Sequence, residues 1–139
     1  MKSKRCKNCP LMNLGDEVVC DGTVIKLDMR CCCTTEGVIY VALCRYCEKG
    51  NFYFGQSENS LQERNRGHRF AFKISEYEKS ALSLHTYECH VEKFEDKLLN
   101  FNFGIVKHVS PGLLDKWEDF YIWKTDADIK GLNRYKVCA

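Results

Sequence analysis

The sequence predicts a small α+β domain, and three observations carry that expectation. Segments of strand and helix character follow one another as strand, strand, helix, helix, strand, helix. The first two strand segments are joined by a stretch short enough for a hairpin. The length, 139 residues, is that of one domain. Taken in order, residues 1–36 are cysteine-rich and mostly irregular, with turn residues on both sides of a short apolar stretch in "GDEVVCDGT", which reads as a small hairpin. "GVIYVALC" is apolar, β-branched and aromatic, and reads as a buried strand; "EKGN" turns the chain and "FYFG" returns it. "SENSLQERNRGHRFAFK" reads as a helix capped by Ser57 or Asn59, with Leu61 on its apolar face. Residues 74–90 form a second helical segment ending near "HTYECH". "FNFGIVKHV" alternates as a third strand and is broken by Pro111 and Gly112. In "LLDKWEDFYIWKT", Leu113, Trp117, Phe120, Tyr121 and Lys124 recur at helical spacing, and "GLNRYKV" closes the chain as a loop.

Composition narrows the function classes. A formal charge of +2 does not by itself announce a nucleic-acid binder, so the arrangement of charge has to carry that argument. No segment approaches the roughly 18 apolar residues of a membrane span, so no membrane partner is expected. "MKSKRCKNCP" has no apolar run after its basic start, which speaks against a secretory leader. The ten cysteines are therefore expected to stay reduced, in an intracellular and nuclear setting. Two Cys-x-x-Cys pairs then read as metal clips in preference to disulfides.

The motifs resemble a known family. "GVIY" at 37–40, "YFG" at 53–55, "LQERNRGH" at 61–68, Glu118 in "KWEDFYI" and Asn133 in "GLN" are similar, in order and spacing, to the pattern of GIY-YIG nucleases. Each element alone is a weak signal; five in order are a strong one. The resemblance spans residues 37 to about 135 and implies a GIY-YIG endonuclease domain over 37–139, with a three-stranded antiparallel sheet flanked by helices, behind a Cys-rich zinc-binding extension at 1–36. It implies hydrolysis of a DNA phosphodiester, a reaction that needs an activated water, stabilised phosphoryl charge and a helped leaving oxygen. Tyr40 and Tyr53 would face one water and the scissile phosphate, Tyr40 in preference acting as general base. A free tyrosine titrates near 10, so that role calls for cationic neighbours or a metal-bound water. Arg64 would clamp the phosphate, and His68, one turn later, would orient the nucleophile or share its proton. Glu118 would be the sole protein carboxylate on Mg²⁺ or Mn²⁺, and Asn133 would support the site by hydrogen bonding. The second motif departs from the family in carrying Phe54 where an aliphatic residue is usual; that side chain is expected in the core.

Cys44 and Cys47, with His85 and His90, meet the ligand types and number of a tetrahedral zinc site, and Cys89 is an alternative fourth ligand. A cysteine pair between the tyrosine motifs followed by two histidines is similar to the endonuclease domain of Penelope-like retroelements. That likeness implies nicking of target DNA to prime reverse transcription, with a reverse transcriptase domain or other retroelement component as partner. Cys6 and Cys9, with Cys33 and either Cys31 or Cys20, are candidates for a second zinc. The three residues of "CCC" do not easily serve one tetrahedral ion, because neighbours on an extended chain point to opposite sides. Arg64, Arg66, Arg69, Lys73 and Lys79 concentrate positive charge after the second motif, diluted by Glu63, Glu76 and Glu78, and suit phosphate tracking. "KGLNRYK" can add to it, and no base-reading helix is evident, so low sequence specificity is expected. The competing expectations are a catalytically inactive, zinc-containing nucleic-acid-binding module and a structural zinc domain docking a larger retroelement protein. Neither of these needs Glu118.

Overall fold

The computed structural model describes residues 12, 14–47, 51–73, 82, 85 and 101–134, without the side chains of 69–73 and 134. Cys6, Cys9, Cys89, His90, Cys138 and Lys79 lie outside the described residues, as do the side chains of Arg69 and Lys73 and most of the 74–90 segment. The described chain is α+β. Strands β1 (Glu17–Cys20) and β2 (Thr23–Lys26) form a hairpin. Strands β3 (Glu36–Cys44), β4 (Phe52–Ser60) and β5 (Phe101–His108) form an antiparallel sheet in the order β4-β3-β5. Helices α1 (Leu61–Lys73) and α2 (Leu114–Thr125) accompany the sheet.

The central position of β3 explains its composition. Its side chains alternate between two cores, so both faces need apolar residues. Val38, Tyr40, Ala42 and Cys44 enter one core with Leu61, Phe101, Phe103 and Ile105. Ile39 and Val41 enter the other with Phe52, Phe54, Val106 and Leu114. Burial of each large apolar side chain contributes about 1.5–3 kcal/mol. The described part of residues 1–36 shares the second core through Val18, Cys20 and Ile25. Its hairpin closes at Asp21-Gly22, both at positive φ (49° and 89°), the conformation of the tight turn that suits the right-handed twist of paired strands.

Four expectations need correction. The returning strand does not stop at "FYFG" but runs to Ser60, because residues 56–60 stay paired with β3 through Ser57 and Ser60. The cap of α1 is accordingly Ser60, whose Oγ accepts the Glu63 N–H at 3.2 Å, and neither Ser57 nor Asn59. The Ser57 hydroxyl instead donates to the Ser60 carbonyl (2.9 Å), which ties off the strand end. The buried face of α2 is also rotated from the one expected. Leu114 and Thr125 are buried and Trp117, Tyr121 and Ile122 are half-buried, whereas Leu113, Phe120 and Lys124 are exposed. Tyr121 lies parallel to Phe54 at 5.7 Å, so the buried Phe54 seats the helix against the sheet.

The closing segment is not only a loop, since Leu132–Arg134 makes a 3-10 turn. From it Asn133 accepts the Phe54 N–H and donates to the Phe54 carbonyl, both at 2.8 Å. The side-chain amide thus satisfies both backbone groups of an edge-strand residue, as a further strand would. Gly131 permits the approach: a Cβ there would stand 2.6 Å from the Phe52 carbonyl oxygen.

Candidate functional site

Tyr40 and Tyr53 come from neighbouring strands and meet on one side of the sheet. Tyr40 pairs with Gly55 and Ala42 with Tyr53, which puts the two rings 6.2 Å apart. Gly55 is glycine because the Tyr40 ring lies across it, and a Cβ would stand 2.5 Å from the Tyr40 hydroxyl oxygen. A register shift between Ile39 and Tyr40 on the β5 side places a strand irregularity beside the same tyrosine.

Helix α1 delivers the next groups. His68 is fully buried, with its Nε2 3.1 Å from the Tyr40 hydroxyl. Burial, and then the Arg64 charge, hold its pKa well below the usual value, so the ring is neutral and its Nε2 can accept a hydrogen bond from the phenol. The Arg64 charge acts on both phenols. Burial nevertheless dominates the tyrosines. It raises both pKa values, most strongly for Tyr40, where Tyr53 adds and Arg64 opposes. The cationic neighbour expected from sequence is present, but it does not by itself ionise either phenol.

Glu118 extends the set from α2. It is half-buried, and desolvation pushes its pKa to about 7. Asp119 and Asp115 add to that rise, and the Gln56 side chain and the Arg64 charge oppose it. Its own charge acts on Tyr40 and Tyr53, so the five groups share one electrostatic neighbourhood. A carboxylate drawn out of water with so little compensation suits a cation. Gln56 is a site residue that the sequence reading missed. Its Nε2 donates to Asp115 Oδ1 at 2.6 Å as the side chain also engages Glu118. The available signal was its place in β4, two positions after Phe54 and hence toward α2. Asn133 acts on the backbone beside Tyr53 through Phe54. Arg66 is exposed and paired with Glu63 at 2.7 Å, which reduces its availability to a ligand.

The buried state of His68 has a measurable consequence. Its unfolded pKa is about 6.5 and its folded value lies below. Below pH 6.5 the unfolded chain takes up a proton that the folded chain refuses, so this group removes stability as pH falls, with a limiting slope of about 1.4 kcal/mol per pH unit. Urea midpoints at pH 7 and pH 5 should therefore drop further for the parent than for His68→Gln. Equal drops would place the ring's titration elsewhere.

A second cluster lies at the end of β3. The ligand atoms of Cys44, Cys47 and His85 all lie within 4.8 Å of one another, with Cys47 Sγ 3.4 Å from His85 Nε2. Ligands on tetrahedral zinc stand about 3.5–3.8 Å apart, given Zn–S of about 2.3 Å and Zn–N of about 2.0–2.1 Å. Burial raises the Cys44 pKa to about 12, yet the backbone N–H groups of Tyr46 and Cys47 point to its sulfur, an arrangement that favours the thiolate. The three residues can hold a metal ion such as zinc. The expected fourth ligand, His90 or Cys89, lies outside the described residues, as do Cys6 and Cys9. Among the described residues Cys31 and Cys33 join no cluster of three ligands. Cys20, the alternative to Cys31, is a fully buried thiol in the second core, pushed to about 12 by desolvation.

Comparison with protein-family models, curated proteins and solved structures yields no match.

Proposed function

We propose that the chain is a divalent-metal-dependent DNA endonuclease of the GIY-YIG type, with Tyr40, Tyr53, Arg64, His68 and Glu118 as its active site. The observation that carries this reading is the Tyr40 hydroxyl, 3.1 Å from a neutral buried imidazole, with the Arg64 and Glu118 charges acting on it. Structural aromatics would not need this collection of buried polar groups, each of which costs free energy to desolvate.

Mg²⁺ or Mn²⁺ held by Glu118 would supply Lewis-acid stabilisation of the phosphate and an acidified water. Tyr40 would take the proton of the attacking water as its phenolate, a form that the Arg64 charge and the bound cation favour, and His68 Nε2, 3.1 Å away, orients the hydroxyl. Arg64 presents its fork of donors to the phosphate and steadies Tyr53. Gln56 ties β4 to α2 through Asp115, one helical turn before Glu118, and Asn133 fixes the strand that carries Tyr53. One such site cuts one strand per encounter. In this reading Cys44, Cys47, His85 and His90 hold a structural zinc, and Cys6, Cys9, Cys33 and Cys31 are candidates for a second. Arg66, Arg69 and Lys73 track the DNA backbone without reading sequence. The biological setting would be nuclear nicking of a target that primes reverse transcription by a retroelement partner.

Plasmid nicking tests the proposal. The parent should convert supercoiled to open-circular DNA with Mg²⁺ or Mn²⁺, and Glu118→Ala and Arg64→Ala should each reduce the rate by at least about a hundredfold. A parent inert with both metals, or variants that nick as fast as the parent, would return the chain to a binding module.

A further inference from the structure

Helix α2 carries more than Glu118. At 3.6 residues per turn its side chains divide into three arcs. Leu114, Glu118, Tyr121, Ile122 and Thr125 face the sheet, and the exposed Asp115 and Asp119 occupy a second, acidic arc. The remaining arc, about 120° wide by the helical repeat, holds Lys116, Trp117, Phe120, Trp123 and Lys124, with no carboxylate among them. Trp123 is 73% exposed and Phe120 38% exposed. Successive rings follow one another at 5.5 Å (Trp117 to Phe120) and 6.2 Å (Phe120 to Trp123). Lysines lie on these rings from both sides. Lys107 of β5 is 4.2 Å and Lys116 5.9 Å from the Trp117 ring centre, and Lys124 is 5.8 Å from that of Phe120.

We infer that this lysine–aromatic stripe is a binding platform for unpaired, single-stranded nucleic acid, separate from the phosphodiesterase site. Aromatic faces stack on any base, and ammonium groups between them meet the phosphates. Protein interfaces also use exposed tryptophan, but their buried centres are depleted in lysine. Three ammonium groups placed on the rings would have to be desolvated under a protein partner, whereas a polyanion complements them. Segregation of Asp115 and Asp119 into their own arc keeps the stripe positive although the helix as a whole is mixed in charge. The inference shares with the proposed function only the class of ligand, since the stripe includes none of Tyr40, Tyr53, Arg64, His68 or Glu118.

Fluorescence anisotropy with labelled dT12 and rU12, using the full chain without added Mg²⁺ or Mn²⁺, provides the test, with duplex DNA as a third arm. The parent should bind one or both single strands more tightly than the duplex, and Trp123→Ala should weaken that binding at least about fivefold, the lower end of what one stacked base contributes. Lys107→Gln and Lys124→Gln should each flatten the plot of log K against log salt by about 0.7, one phosphate contact. Trp123 is exposed enough that its truncation leaves the fold intact, which circular dichroism checks. Preference for DNA or for RNA identifies the strand. The platform is overturned if Trp123→Ala binds both oligomers as tightly as the parent, if neither oligomer binds, or if Trp123→Ala instead abolishes a concentration-dependent dimer. A parent that fails to nick plasmid but binds dT12 or rU12 through Trp123 removes the nuclease and sustains the platform.

Discussion

Gly55→Ala is expected to lower the melting temperature by roughly 3–10 °C and to reduce DNA cleavage by about a hundredfold, a larger effect than one methyl group ordinarily has. The added Cβ would stand 2.5 Å from both Cζ and the hydroxyl oxygen of Tyr40, closer than atoms approach. Tyr40 has no room to retreat, since it is fully buried between Tyr53 and Phe103, with ring centres 6.2 and 6.1 Å away. Overpacking of this kind costs about 1–3 kcal/mol. At about 2.1 cal/mol/K of unfolding entropy per residue, a chain of 139 residues loses some 3–10 °C. The ring moves, its hydroxyl leaves His68, and a displacement of about 1 Å in a reacting group is enough for a hundredfold loss. Scanning calorimetry and a nicking time course check the two arms. An unchanged melting temperature together with full activity would mean that Tyr40 does not occupy the place described.

If the Cys44–Cys47–His85 cluster holds a metal, its removal is expected to be the larger effect on stability. A ligand present at a thousand times its dissociation constant contributes about 4 kcal/mol, and structural zinc commonly contributes more. By the same entropy, chelation should lower the melting temperature by at least about 10 °C. The loss should be largest where β3 turns into β4, because Cys44 ends the strand that carries Tyr40. Cys47→Ser should reduce zinc content and reproduce most of the fall. Elemental analysis of protein purified without chelator should find at least one zinc per chain. Less than one, or a melting temperature indifferent to chelator, would leave the three residues as an ordinary cysteine–histidine contact.

The order and type of the described elements were legible because the β3 pattern is unambiguous: a strand buried on both faces carries no charged position, and "GVIYVALC" has none. Tyr40, Tyr53, Arg64 and His68 were also legible as a group, since strand register and one helical turn bring them together. The end of β4 was not. "SENS" reads as a helix start by local chemistry, yet pairing with β3 carries the strand to Ser60, so tertiary contact overrides propensity there. The face of α2 was misjudged for a related reason. Aromatic residues cover neighbouring faces of the helix, so periodicity alone does not choose between Phe120 and Tyr121, and stacking on Phe54 selects Tyr121. Gln56 carried no motif, and its role depends on two carboxylates one helical turn apart on another element. Asn133 was expected to hydrogen-bond near the site, but that it grips the Phe54 backbone follows only from the close approach allowed at Gly131.

The proposed chemistry turns on one hydroxyl group, that of Tyr40. Single-turnover cleavage of duplex DNA with Mn²⁺, comparing the parent with Tyr40→Phe, isolates it, because the substitution keeps the ring and its packing. The account predicts a loss of about a hundredfold to ten-thousandfold, the range of a general acid–base group, in a variant that still shows the parent's circular dichroism and zinc content. Cleavage by Tyr40→Phe at the parent's rate would contradict it.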